Sequence, residues 1–257
     1  MPSISKMSEP RHGYKFIFFD CDNTITLSEY LTMDTTAELV NEILEEYGKS
    51  ERYTKETLIA KYLGYSFRKM LPEICQEHGI QMSKGGLLYY GNVEEEHVIT
   101  TFRARGQPCA GALEVIQALY NRGEYTLAVV SSSALGRIKA QIETIGAAKY
   151  FEEYCIFSAQ NSMSAPKSKP DPSIYIHAME KLGAKPHECL AIEDSVSGCQ
   201  AAIRANIPTI GYVGAYKTEG PKEVMKETLK RAGCCVVMRE WKDWDDTFRL
   251  MLDLDCP

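Results

Sequence analysis

The chain predicts an α/β fold: a parallel, Rossmann-like sheet with helices on both faces and an all-helical insertion near its start. Three observations carry this. Apolar runs such as "FIFFD", "LAVVS" and "CLAIE" lack the polar alternation of a half-exposed strand, so they suit a sheet buried on both faces. Amphipathic segments of about ten residues or more separate most of them, as parallel crossovers require. Between the first run and the second, residues 29–106 carry helical pattern alone.

Residues 15–20 supply the first strand. "DTTAELVNEILEEYG" opens the insertion, with Thr35 and Glu38 spaced as a capping box, Leu39, Val40, Ile43 and Leu44 on one face, and Gly48 as the stop. "TKETLIAKYLG" and "SFRKMLPEICQEHG" continue it as helix, the second interrupted or kinked at Pro72, and "VEEEHVITTFRARG" completes it. Between the last two, "KGGLLYYG" (84–91) reads as a plain turn or as a loop shaped over a substrate.

Alternation then resumes. Ala110 to Arg122 is a helix closed by Gly123, "YTLAVVSSS" a strand, "ALGRIKAQIETIG" a helix, "EEYCIFSA" a strand and "PSIYIHAMEKLG" a helix. "ECLAIED", "IPTIGYVG" and "CCVVM" are strands, with "SGCQAAIRAN" and "PKEVMKETLKRAG" as the helices between them. Trp241 and Trp244 pack a terminal helix. The expected division is a loose tail at 1–13, an α/β core at 14–28 and 107–257, and the insertion at 29–106.

Composition bounds the function. The 257 residues are 44% hydrophobic and 25% charged, ordinary for a soluble globular protein, and the net charge of −6 argues against nucleic acid or an anionic membrane as partner. The nine cysteines form no C-x-x-C pair, and several sit in apolar runs as small hydrophobes. With no apolar stretch of signal-peptide or membrane-span length, a reduced, cytoplasmic protein is the expectation.

In an open parallel sheet, sites form beyond the carboxyl ends of the strands. Asp20 and Asp22 follow the first strand, Ser131, Ser132 and Ser133 the second, and Glu193 and Asp194 follow "CLAI"; Lys169 precedes a helix in "KSKPDPSIY". Singly, each has a plain explanation: an Asx turn, a helix cap, a solvated lysine. Gathered at one rim, four acids, a hydroxyl cluster and an ammonium suit phosphate chemistry on Mg²⁺, which offsets the repulsion between the acids.

"FFDCDNTIT", "LAVVSSS", "SKPDPSIY" and "LAIEDSVSGCQAA" together resemble the four ordered motifs of the haloacid dehalogenase superfamily, in its phosphatase and phosphomutase branch. The resemblance runs from residue 14 to about residue 214, with the insertion in the place of the family's cap. It implies that Asp20 is a nucleophile and Asp22 the acid and then the base. Ser131, with Ser132 beside it, and Lys169 hold the phosphoryl group; Asp20, the backbone carbonyl of Asp22, Asp194 and Glu193 attend Mg²⁺. Asn23 replaces the usual glycine after the second acid, and Asn accepts the same backbone angles. Cys21 contributes backbone only, and the five histidines avoid all four motifs.

The expected activity is hydrolysis of a small phosphomonoester, a sugar, polyol or organic-acid phosphate, by a monomer or weak homodimer. One alternative is a sugar phosphomutase, which needs a cap cation for a distal phosphate. In "LGYSFRKML", Phe67 takes the position where the β-phosphoglucomutase pattern has Arg. Arg68 comes one residue later, a helical rotation of about 100° that turns it from the pocket unless its length lets it reach. Lys61 is a second cation. The other alternative is a relative that binds phosphate without catalysis, which loss of Asp20, Asp22, Lys169 or Asp194 would mark; all four are present.

Overall fold

The computed structural model describes residues 13–62 and 65–254; the tail expected at 1–13 lies, but for Gly13, outside them, as does Gly64. Six strands form one sheet: β1 (Phe16–Phe19), β2 (Thr126–Ser131), β3 (Ile156–Ser158), β4 (Cys189–Glu193), β5 (Thr209–Tyr212) and β6 (Val236–Met238). Their order is β3-β2-β1-β4-β5-β6, and every pairing is parallel. Chain order reverses at β1, where connections leave in opposite directions and a crevice opens beyond the strand ends.

Side-chain alternation along β1 splits the core. Ile17 and Phe19 pack on one face with α5 (Ala112–Arg122), α6 (Leu135–Thr144) and α10 (Trp244–Asp253). Phe18 packs on the other with α7 (Ser173–Leu182) and α8 (Val196–Arg204), while α9 (Glu219–Arg231) covers β5 through Leu229. Both faces being apolar explains the uninterrupted hydrophobic runs. Trp241 and Trp244 pack as expected: Trp241 is fully buried against Phe19 and Tyr212, and Trp244 stacks on Phe248 of α10.

Between β1 and α5 lie α1 (Glu29–Glu46), α2 (Lys55–Tyr62), α3 (Phe67–Glu77) and α4 (Lys84–Arg105). They enclose an apolar cluster of their own, including Leu39, Val40, Ile43, Leu58, Met70 and Ile74. α4 also packs along α6, with Ile99 lying close to Gly136.

Three local expectations change. α1 begins at Glu29, so Thr35 is no N-cap; its hydroxyl donates to Leu31 O at 3.2 Å and contacts Thr101 Oγ1 at 3.0 Å. The early start is possible because Asn23 Oδ1 accepts the N–H groups of Ser28 and Glu29, donors that a helix end leaves unpaired. α3 runs through Pro72 without interruption. "KGGLLYYG" is neither turn nor loop but the first two turns of α4, capped by Ser83, whose Oγ accepts from the Gly86 N–H at 3.0 Å.

Candidate active site

Parallel register sets three strand ends level. Phe19 pairs with Val129 and with Ile192, so Asp20 stands beside Val130 and Glu193. Lys169, arriving from the loop before α7, donates to all three: Asp20 Oδ1 at 2.7 Å, Glu193 Oε1 at 2.6 Å and the Val130 carbonyl at 2.7 Å. These bonds use every donor an ammonium has. Burial opposes the Lys169 charge, but Asp20 and Glu193 more than compensate and raise its pKa.

The acids carry the opposite strain. Burial pushes Asp20 up, Lys169 offsets part of that, and Asp22 adds to it; the second Asp20 oxygen accepts from the Thr24 hydroxyl at 3.2 Å. Burial lifts Glu193 to about 7 against the pull of Lys169. Tyr175 shares Glu193 Oε1, while Oε2 is buried with no hydrogen-bond partner among the described residues. Glu193 is packed so closely on Gly198 that any side chain there would overlap it. Asp194 is pushed well above its ordinary value by burial and then by Asp20 and Glu193, and it has no ion pair among the described residues.

Two buried acids, Asp20 and Glu193, thus share one ammonium, and the half-buried Asp194 stands beside them without one. Asp20, Glu193 and Asp194 can each place an oxygen within 4.8 Å of the others. An all-oxygen donor set, an excess of negative charge and an orphaned carboxylate oxygen fit a hard divalent cation.

Asp22 is held differently. Ser133 donates to its Oδ2 at 2.6 Å; Gln141 and Arg137 of α6 reach Oδ1 at 3.1 and 3.4 Å. Burial alone would raise its pKa, but Arg137, Ser133, Ser28 and Gln141 together hold it below the ordinary carboxylate value. Cys21, between the two acids, is fully buried and donates to Gln141 Oε1 at 3.5 Å. Burial and both neighbouring acids keep its thiol protonated. Asn23 sits at φ +55°, in the left-handed region that Asn tolerates. Its substitution for glycine has a consequence the sequence did not suggest, since its side chain ties this loop to α1.

The three serines divide their work. Ser131 Oγ accepts from the Ser133 N–H at 3.0 Å and Ser132 Oγ from the Lys169 N–H at 3.3 Å; both line the cavity, while Ser133 restrains Asp22.

A cavity of about 720 Å³ lies between this rim and the helical insertion. Phe67, Arg68 and Lys69 at the start of α3 and Glu94 of α4 form its far wall. Arg68 does reach it, contrary to the rotation argument: Gly91 of α4 leaves space for the guanidinium, and Nη2 donates to Asn92 Oδ1 at 2.7 Å. Lys61 does not. It pairs with Glu77 on α3 beside a separate surface depression. On α2 its side chain faces the neighbouring helix, which sequence spacing could not show. None of the histidines among the described residues lines the cavity.

Sequence reasoning passed over Arg137, Gln141 and Tyr175. Gln141 left a signal: it occupies the stripe of Ile138, Ile142 and Ile145 in "RIKAQIETI", an apolar position filled by an amide. Arg137, one turn earlier, carried no such mark.

Comparison with known proteins agrees with this geometry. The family model for haloacid dehalogenase-like hydrolases matches residues 14–206. The 6-phosphogluconate phosphatase of Escherichia coli is 24% identical over 74% of this chain and 79% of its own. A phosphorylated carbohydrates phosphatase of Thermotoga maritima is 26% identical over 83% of this chain and 99% of its own. Among solved structures, a putative β-phosphoglucomutase from Thermotoga maritima superposes with a TM-score of 0.67 at 21% identity, covering 92% of this chain and 99% of that one. The chain belongs to the haloacid dehalogenase-like hydrolases. Within them it is a phosphoric monoester hydrolase.

Proposed function

We propose that the protein is a Mg²⁺-dependent phosphatase that hydrolyses a small sugar, polyol or organic-acid phosphate through an aspartyl-phosphate on Asp20. The observation that carries this is the pair of unlike acids at one strand end. Asp20 is buried at the carboxylate cluster and bridged to Lys169, whereas Asp22 is held apart by donors from β2 and α6.

Phosphate entering against Ser131, Ser132 and Lys169 brings its phosphorus to Asp20. A carboxylate oxygen of Asp20 forms the new P–O bond as the bond to the leaving oxygen breaks, and Asp22 gives that oxygen its proton. The incoming dianion itself favours the protonated form of Asp22, since like charge raises an acid's pKa. Asp22, now a carboxylate, takes a proton from water, which attacks the aspartyl-phosphate and returns Asp20. Asp20, the backbone carbonyl of Asp22 and Asp194 would hold Mg²⁺, with Glu193 beside them. Bound there, the ion supplies charge neutralisation for the acids and the phosphoryl oxygens.

We take α1–α4 (29–106) as the cap over the 14–28 and 107–254 core. A closed roof keeps water from the phosphate and limits substrate size. The carbohydrate phosphatases among the relatives support a sugar-like leaving group. The test is phosphate release from sugar, polyol and organic-acid phosphates with and without Mg²⁺; no release from any would overturn the reading. Arg68 at the cavity wall gives the mutase alternative its one observation. β-Glucose 1-phosphate separates the two: hydrolysis gives free glucose and phosphate, whereas accumulating glucose 6-phosphate would mark a mutase.

A further inference from the structure

Arg137 stands where the core meets the helical insertion. It rises from the first turn of α6, directly after the serines that end β2. Its Nη2 donates to Thr32 Oγ1 of α1 at 2.8 Å and lies 3.4 Å from Asp22 Oδ1. Its guanidinium carbon is 5.5 Å from the ring centre of Phe102 on α4, within cation–π range. Phe102 is itself buried. One side chain thus touches the second acid and both of the long helices that roof the cavity. Both acceptors meet one nitrogen of the guanidinium, and its planar group is also what meets the ring.

We propose that Arg137 is a positioning residue that couples closure of the insertion to the placement of Asp22. Thr32 and Phe102 fix the guanidinium only while α1 and α4 lie against α6, and the guanidinium in turn draws Asp22 Oδ1 to one orientation. Ser133 and Gln141 still hold Asp22 when Arg137 is lost, so the acid stays near its place but swings. Misplacement on the order of 1 Å costs up to about a hundredfold in rate.

This rests on the reading of Asp22 as proton donor, and the test separates the two. Arg137→Met, Arg137→Lys and Asp22→Asn are compared on p-nitrophenyl phosphate, whose leaving group departs without a proton, and on the fastest alkyl phosphate, whose leaving group needs one. In the single-turnover rate of leaving-group release, which precedes the water step, Asp22→Asn is expected to lose far more on the alkyl ester. Arg137→Met is expected to show the same split in that rate, about ten- to a hundredfold on the alkyl ester and under about threefold on the aryl ester. Arg137→Lys is expected to fall between, and it keeps the test decisive should the Met variant not fold. Equal losses on both esters, or a rise in KM alone, would overturn the proposal and leave Arg137 a strut or a substrate contact. No split in Asp22→Asn would instead overturn the reading of Asp22.

Discussion

On the sheet side of the cavity, Lys169 is 3% exposed and commits its three donors to Asp20, Glu193 and Val130. On the helical side, Lys69 rests over the Tyr65 ring at 3.7 Å, and Arg68 makes a single hydrogen bond to Asn92. Neither Arg68 nor Lys69 has an ion pair among the described residues. The first wall is paired before any substrate arrives; the second keeps its charges available. Bond-making needs groups fixed to fractions of an ångström, and buried paired charges provide that. Recognition of a leaving group tolerates looser side chains that settle on contact.

On that contrast, the largest effect belongs to Asp20. Asp20→Asn is expected to lose at least about a thousandfold in turnover while melting no lower than the parent, since an amide is a poor nucleophile and removing one charge relieves repulsion. More than a tenth of parental activity in clean protein would sink the nucleophile assignment.

Removing the metal comes next and has a readout beyond rate. Activity is expected to vanish in chelator, and Ca²⁺ to inhibit, because its looser and larger coordination draws the nucleophilic carboxylate out of line. Glu193, ordinarily near 4.5, titrates at about 7 because burial outweighs Lys169. Between those values the folded protein keeps a proton that the unfolded chain has lost. That contribution to stability is complete below the ordinary value and disappears as pH rises through about 7. Chelated protein should therefore melt lower at pH 8 than at pH 6, with Mg²⁺ restoring more at pH 8. Equal melting at both would show that the acids are not strained.

Lys169→Met tests the paired wall directly. It leaves Asp20 and Glu193 facing each other without a cation, a loss of about 3–5 kcal/mol by analogy with broken buried ion pairs. Denaturant unfolding measures it, and a change below about 1 kcal/mol would mean the lysine serves chemistry alone.

On the open wall, Arg68→Ala and Lys69→Ala are expected to raise KM for anionic substrates by roughly ten- to a hundredfold, the worth of a charged hydrogen bond, with stability little changed. A collapse of kcat on p-nitrophenyl phosphate would move them into the catalytic apparatus and erase the contrast. The smallest effect is expected of Asn23→Gly. It gives up the hydrogen bonds to Ser28 and Glu29, about 1 kcal/mol, and gains some back because glycine accepts φ +55° freely. A large loss of activity would show that this tie positions the insertion as well as steadying it.

The strands, most of the helices and the core rim were legible because each depends on short-range pattern. An apolar run that ends in Asp20 or Glu193 must place that acid at a strand end, and parallel strands bring their ends to one edge. Asp20, Lys169, Glu193 and Asp194 could therefore be gathered before any coordinates. The misreadings fell where a cap just outside the segment, or packing against another helix, supplied what the segment's own residues lacked. Asn23 pairs donors at the start of α1, which lets the helix begin before Thr35; "KGGLLYYG" is helical despite its glycines because Ser83 caps it and Leu87 and Tyr90 pack into the insertion.

By itself, then, the sequence determined the sheet, its helical insertion and the acids and lysine at the rim, since periodicity and strand ends are properties of neighbours in the chain. Only the tertiary structure decided that Arg68 faces the cavity and Lys61 does not, that Ser133 restrains Asp22, and that Arg137 joins that acid to α1 and α4. A helix fixes the angle between its own residues, but which neighbour each one meets follows from how the helices dock, and that is set by the whole core.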